Sequence, residues 1–360
     1  MANYYVGKND SDVLGSDGNT GASFAQRLAT LSAGLAKLTS PGDQLIITAR
    51  SSSPLAVALT DMPATVGSST NPVIITGGNP ADGTVDGSIG YTTGGGTVAG
   101  AFRDNGVARN HYWFKNMSFI NFTGTPILFS NGNSADILVY NCTFQTNGSY
   151  AIRGLSGYCA IYNCTAIGNT SGGGFECYGT VANCIARNNT GVGIRINGAG
   201  NWGSSARGNV VSGSSSHGIE IVSSSGDTNS PAIITGNTIN GNTGAGISFT
   251  NDDSLSTIDI SYNIISNNAG GGISPQSGTA ALVIPYANHF YNNTGGNYIN
   301  ASVPSWWTDS STSGDPLFKD SAAFDFSVKV GSPAIRSAGG VAGATLPRFV
   351  HRTSPFIIGV

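Results

Sequence analysis

Apolar residues in this chain recur at every second position in short runs, and each run is closed by asparagine or glycine. Asn116, Asn141, Asn163, Asn183, Asn209, Asn237, Asn263 and Asn288 each open a run, at successive spacings of 25, 22, 20, 26, 28, 26 and 25 residues. A second asparagine follows in most repeats, at Asn121, Asn147, Asn169, Asn189, Asn242, Asn268 and Asn293, usually ahead of a glycine. Both residue types tolerate the left-handed backbone that tight corners need. Next comes an apolar residue: Ile127, Ile152, Phe175, Ile194, Ile219, Ile247, Ile273 and Tyr298. A second column precedes it by a constant eight residues (Phe119, Phe144, Ala186, Val211, Ile239, Ile265, Phe290), with Ala166 alone at nine. Period-two alternation predicts strands, and a fixed offset is required because a one-residue slip would turn each strand inside out.

One such coil cannot bury its own apolar face, so neighbouring coils must stack. The fold expected is all-β: a single-stranded right-handed parallel β-helix, a solenoid with a short N-terminal capping helix. Eight anchored coils would form a rod ~38 Å long at ~4.8 Å per coil. Between Asn183 and Asn209 the asparagine moves from three residues before the core column to two, which predicts a corner of different shape with the core register kept. Residues 1–49 read as the cap. Ser23-Phe24-Ala25-Gln26 has capping-box spacing, Leu28, Leu31, Leu35 and Leu38 follow at helical spacing, and Pro41-Gly42-Asp43 ends the helix before the strand Gln44–Thr48. Residues 50–305 form the β-helix, its first part, 50–110, being either two coils or a looser lid. Residues 306–360 form a C-terminal cap within the same structural domain.

Composition supports short strands and tight turns. Glycine supplies 52 of 360 residues and charged residues only 10%, against roughly a quarter in ordinary globular domains. The net charge is −3 with no basic tract, so nucleic acid is not an expected partner. No apolar run is long enough to span a membrane, and Met1–Val6 lacks the basic and apolar regions of a Sec signal peptide. Cys142, Cys164 and Cys184 each follow an anchor asparagine and read as a buried stack of small side chains. A disulfide between coils is geometrically open, and no cysteine spacing matches a zinc pattern. No cofactor is expected.

The repeated Asn-x-x-x-x-x-Asn-x-Gly-x-Gly-Ile pattern resembles the pectate-lyase-like superfamily of right-handed β-helix proteins. The N-terminal Tyr-Tyr-Val, glycine-rich loop, helix and Pro-Gly-Asp-Gln-Leu-Ile-Ile are similar too. Asp315-Pro316-Leu317-Phe318, Asp325-Phe326, Gly331-Ser332-Pro333-Ala334-Ile335 and Ile358-Gly359 resemble the closing segment of secreted and phage-encoded members. The resemblance spans nearly the whole chain and implies the fold. It leaves function open among lyases, hydrolases, epimerases, adhesins and virion proteins.

The residue after each core position should face outward. In four consecutive coils it is Arg153, Glu176, Arg195 and Glu220, the chain's only glutamates among them. One reading is an ion-pair ladder, in which each pair contributes roughly 0.2–1 kcal/mol. The other is a glycan site with Glu176, Glu220 and Arg195 as the catalytic candidates. Two coils, roughly 9–10 Å, separate the glutamates, near the upper end of the roughly 6.5–9.5 Å of inverting glycosidases. Arg195 between them favours both as carboxylates, however, whereas a general acid must hold its proton. Arg153, Trp306 and Trp307 are the candidates for holding sugars, and Trp306-Trp307 also reads as a plug of the core.

Ser216-His217-Gly218 faintly resembles the Gly-His-Gly of polygalacturonases. Asp252-Asp253 follows it rather than preceding it, and no Arg-x-Lys exists, so His217 reads as a turn residue. Asp252 and Asp253 form the densest oxygen cluster, with two carboxylates where calcium wants six to eight oxygens. Asn-x-Ser/Thr sequons coincide with the corners and read as an asparagine ladder.

Three functions compete. The expectation is a non-enzymatic structural or attachment component of a bacteriophage virion, a head-decoration or tail-associated protein assembled in the host cytoplasm. Its partners would be other virion proteins and itself, as a trimer of the kind phage β-helices form, with polysaccharide contact. The missing signal peptide and the scarcity of titratable groups, with five lysines, four histidines and two glutamates, support it. The alternatives are a polysaccharide lyase or glycoside hydrolase, and a glycan-binding adhesin.

Overall fold

The computed structural model describes residues 1–63, 67–130, 134, 136–198, 204–223, 232–250, 258–275, 283–299 and 310–335. Three parallel strands per coil wind into three faces. Face A carries Phe102–Arg103, Ile127–Phe129, Val192–Gly198, Ile219–Ser223, Ile247–Thr250 and Ile273–Pro275. Face B carries Tyr112–Lys115, Ile137–Tyr140, Ser204–Arg207, Ala232–Thr235 and Ile258–Ser261; the long strands Ile152–Tyr162 and Gly173–Ala182 bend from A into B. Together they make one sheet of eighteen strands, and face C, from Leu55–Ala56 to Thr312–Ser313, makes a second of eleven. The crossovers are right-handed, as crossovers between parallel strands almost always are.

Both predicted core columns stand in register. Ile127, Ile152, Phe175, Ile194, Ile219, Ile247 and Ile273 pair rung to rung. So do Phe119, Phe144, Ala166, Ala186, Val211, Ile239, Ile265 and Phe290. All are fully buried in one continuous core. The segment 50–110 belongs to the solenoid. Asn3–Gly7, Gln44–Thr48, Val73–Gly77 and Tyr112–Lys115 pair in succession, so two coils precede the first anchored one.

The corner shift resolves differently from expectation. The left-handed residue stands three before the core column throughout: Asn183, then Gly208, Gly236, Tyr262 and Ala287. The corner keeps its shape, and the asparagine has moved one residue onward into the interior. There Asn209, Asn237, Asn263 and Asn288 are 0% exposed, and the first three each donate Nδ2 to the Oδ1 of the next, at 2.9, 2.9 and 3.0 Å. Cys142, Cys164 and Cys184 occupy the same column in earlier coils, with the Cys184 amide donating to Asn209 Oδ1 at 2.8 Å. Their thiols are free and buried, as are those of Cys159 and Cys177, so no disulfide forms.

The other interior ladder bears on the glycine that precedes Ile219 and Ile247. A Cβ on Gly218 would lie 2.9 Å from Asn242 Nδ2, and one on Gly246 2.9 Å from Asn268 Nδ2. The glycine of one coil thus leaves room for the asparagine of the next.

Two end segments depart from expectation. The helix at the N-terminus is only Leu31–Leu35, capped by Thr30 rather than by Ser23, while Leu28 joins a β-bridge to Val6. At the other end, Phe318–Asp320 and Asp325–Val328 form an antiparallel hairpin. It lies against the outside of face C, with Phe326 on Val210 and Ile185 and with Ala334 on Ile264. Outward apolar residues on those rungs of face C needed such a cover.

Candidate functional site

The outward column of face A is continuous across the rod. Register pairs link Asp61 to Arg103, Arg103 to Leu128, Leu128 to Arg153, and then Glu176, Arg195, Glu220 and Ser248. The predicted stripe of Arg153, Glu176, Arg195 and Glu220 is therefore assembled as a column of adjacent rungs. Arg153 Nε donates to Glu176 Oε2 at 2.9 Å, and Arg195 Nε to Glu220 Oε2 at 2.5 Å. Arg195 Nη1 also lies 3.8 Å from Glu176 Oε1.

The column is not evenly exposed. The Glu176 and Glu220 side chains are 4% and 8% exposed, against 42% and 29% for Arg153 and Arg195. Within these four residues the acids lie beneath and the guanidinium groups lie above, so the charges that meet solvent here are the positive ones, although the four sum to zero. Asn197, two residues after Arg195, donates to Glu176 Oε1 at 3.3 Å and completes its burial.

Tyr150 is the member of this cluster that the sequence reading missed. It stands on the corner before face A, and its hydroxyl oxygen accepts from Arg195 Nη1 at 2.6 Å. The guanidinium carbons of Arg153 and Arg195 each lie 5.8 Å from its ring centroid. Burial, and then the Glu176 carboxylate, push the phenol above its ordinary range, while Arg195 and Arg153 oppose the shift. Burial works against the charge of Arg195, but Glu220, Tyr150 and Glu176 more than offset it, so Arg195 is held above the usual arginine value. A Cβ on Gly172 would meet the Tyr150 ring at 2.6 Å. The signal for Tyr150 was therefore in the sequence: Gly172-Gly173-Gly174 and the one extra residue in that coil mark the seat of its ring.

His217 takes the equivalent position two residues before Ile219, as Tyr150 does before Ile152. Its Nδ1 accepts from the Ala245 amide at 3.0 Å, and burial lowers its pKa, with Glu220 opposing and Arg195 adding. It closes the far end of the cluster as a neutral ring. Trp306, Trp307, Asp252 and Asp253 lie outside the described residues. Among the described residues no group of three acidic, histidine or cysteine side chains converges in a way that could hold a metal.

The family model described as the right handed beta helix region matches residues 96–230. The crystal structure of pectate lyase Pel9A has a TM-score of 0.53 at 15% identity and covers 96% of each chain. A rhamnogalacturonan lyase gives 0.48 at 13%, over 89% of this chain and 91% of that one. The GH136 lacto-N-biosidase from Eubacterium ramulus gives 0.47 at 12%, over 87% and 68%. No curated protein matches the sequence. The chain thus has the all-β, right-handed parallel β-helix architecture of pectate-lyase-like structures; at these identities the likeness is one of fold.

The expectation of a virion component is overturned. A structure that shares this fold over 96% of each chain bears the name of a pectate lyase, a carbohydrate-active protein. One support of that expectation also weakens on its own terms, because both glutamates, with Arg153, Arg195 and His217, are gathered on one face around Tyr150, although the lysines and the other histidines are not.

Proposed function

We propose that this protein is a polysaccharide lyase that cleaves a uronate-containing glycan by β-elimination at Tyr150, Arg153 and Arg195. The carrying observation is the sign of the surface. Glycoside hydrolysis passes through a cationic, oxocarbenium-like transition state, which two exposed guanidinium groups would oppose. Its two carboxyl groups must also be available to substrate, whereas Glu176 and Glu220 are each committed to arginines. Elimination instead develops negative charge on the uronate as its C5 proton departs. Guanidinium groups fixed in place stabilise that charge without reorganising.

Arg153, the more exposed guanidinium, takes the uronate carboxylate in the paired geometry that arginine favours. Tyr150 in its phenolate form removes the C5 proton and hands the same proton to the departing glycosidic oxygen. The C5–H and C4–O bonds break, the C4–C5 double bond forms, and the phenolate is restored. Arg195 Nη1 stabilises that phenolate through its hydrogen bond. Glu176, Glu220 and Asn197 position the guanidinium groups. The relatives' printed names, two of them lyases, agree with this reading.

The test is a panel of uronate and neutral polysaccharides scored for both unsaturated and reducing ends. Unsaturated ends from a uronate polymer, lost in Arg153→Ala, support the proposal. Reducing ends without unsaturation would instead establish a hydrolase, and Glu176→Gln and Glu220→Gln would then be the informative variants.

A further inference from the structure

One arrangement in the site occurs twice on the same column. Near Tyr150, the Glu176 carboxylate faces Arg195 and accepts from Asn197, in an Arg-x-Asn segment on the next coil. Four rungs away, Asp61 stands opposite Arg103 in register. Its Oδ1 accepts from Arg103 Nε at 2.5 Å and its Oδ2 from Asn105 Nδ2 at 2.8 Å, again an Arg-x-Asn segment on the next coil. Neither Asp61 nor Arg103 belongs to the four-residue stripe, and Leu128 separates them from it.

We infer that Arg103, held by Asp61 and Asn105, is a second anion subsite, and that the ligand is a long polyanionic glycan lying along the rod across several coils. This inference rests on the lyase reading for the identity of the glycan. Arg103 is 38% exposed and Arg153 42%, so both guanidinium groups face solvent from one column, although Asp61 is itself 45% exposed where Glu176 is 4%. Two rungs place them roughly 10 Å apart, and Arg103 and Arg195 are roughly 19 Å apart. A single sugar acid cannot reach both; a polymer with a carboxylate on successive residues can. Asp61 fixes the Arg103 guanidinium through Nε, as Glu176 fixes that of Arg153, and the outer edge of each fork faces away from that bond, where it can pair with an anion. An enzyme so built engages the interior of a polymer rather than its end, and short fragments lose the Arg103 contact.

The experiment is retention of the full-length protein in gels containing polygalacturonate or another uronate polymer, alongside turnover of that polymer and of its disaccharide and trisaccharide fragments. Arg103→Ala should weaken retention and raise KM on the polymer about tenfold, the equivalent of about 1.4 kcal/mol, with kcat and the KM for short fragments unchanged. Arg103→Lys, which keeps the charge without the fork, should fall between. Unchanged retention and KM in Arg103→Ala would overturn the inference while leaving the lyase reading intact. A parent that is retained yet forms no unsaturated ends would sink the lyase reading alone, and the Arg103 variants would still decide this one by retention. A parent retained by no acidic polymer would overturn both.

Discussion

The interior asparagine ladder of the corner between faces C and A has one defective rung, and repairing it should stabilise the protein. Asn147, Asn169, Asn242 and Asn268 each direct both backbone amide and Nδ2 to the Oδ1 of the next asparagine, at 2.9–3.1 Å. The column then runs from Asn189 to Ser214, whose hydroxyl is too short to continue it. The Ser214 Oγ is buried without a partner, a situation that costs roughly 1–3 kcal/mol. The position is framed as the asparagine positions are: a Cβ on Gly193 would lie 2.9 Å from Ser214 Oγ, as those on Gly218 and Gly246 would from Asn242 and Asn268 Nδ2.

Ser214→Asn would give Asn189 its two missing acceptor contacts and offer its own Nδ2 to Asn242. At roughly 1 kcal/mol net per hydrogen bond, less the entropy of ordering the longer side chain, the gain is about 1–2 kcal/mol. Thermal unfolding followed by calorimetry should show a midpoint higher by ~1–3 °C, the shift being small because a chain of 360 residues has a large unfolding entropy. Ser214→Ala, which only removes the orphaned hydroxyl, should change the midpoint little or raise it slightly. An unchanged or lower midpoint for Ser214→Asn would refute the ladder reasoning, because it would mean that the rung contacts contribute nothing beyond what water supplies.

Three further outcomes follow. Gly172→Ala should unseat the Tyr150 ring and depress any glycan-cleaving activity at least tenfold while the far-ultraviolet spectrum stays that of a β-helix; full activity would mean that the ring's seat is irrelevant. His289 is buried between Thr312 Oγ1 and the Gly314 carbonyl, both at 2.8 Å, and its pKa is lowered chiefly by burial. The unfolded chain therefore binds the proton first, so this contribution is complete above pH 6.5 and is lost as pH falls from there toward the folded value. Unfolding midpoints measured between pH 7.5 and 5 should fall, and His289→Gln should flatten the slope. All five cysteines are buried, and desolvation pushes up the thiols of Cys142, Cys159, Cys164 and Cys177, that of Cys159 to about 12, so a thiol reagent should label none of the five in the native protein and all of them in denaturant.

Much of this could be read from the chain because a solenoid writes its geometry locally. Ile152, Phe175 and Ile194 stack because each occupies the same phase of its coil, and phase survives in sequence. The stripe of Arg153, Glu176, Arg195 and Glu220 was found for the same reason. Burial of Glu176 was not readable, since it depends on Asn197 and Tyr150 reaching across coils, and spacing says nothing about which side chain lies on top. Asp61 and Arg103 lacked an asparagine anchor to place them on the column. The displaced asparagine at Asn209 was misread as a changed corner because Gly208 can hold the left-handed backbone as well as Asn183 does. The virion expectation erred where charge scarcity was taken as absence of chemistry, although two arginines and a phenol in one place suffice for an elimination.

The pH dependence of unsaturated-end formation from a uronate polymer, compared between the parent and Tyr150→Phe, bears most directly on the proposed chemistry. In the proposed reaction the phenolate of Tyr150 is the reacting form, and burial followed by the Glu176 carboxylate holds the phenol above its ordinary range. The parent's kcat/KM should therefore climb about tenfold per pH unit through the neutral and mildly alkaline range, and Tyr150→Phe should lose roughly 10²–10⁴ of it while remaining bound to the polymer. A parent profile that is flat with pH, or a Tyr150→Phe variant as active as the parent, would contradict the account.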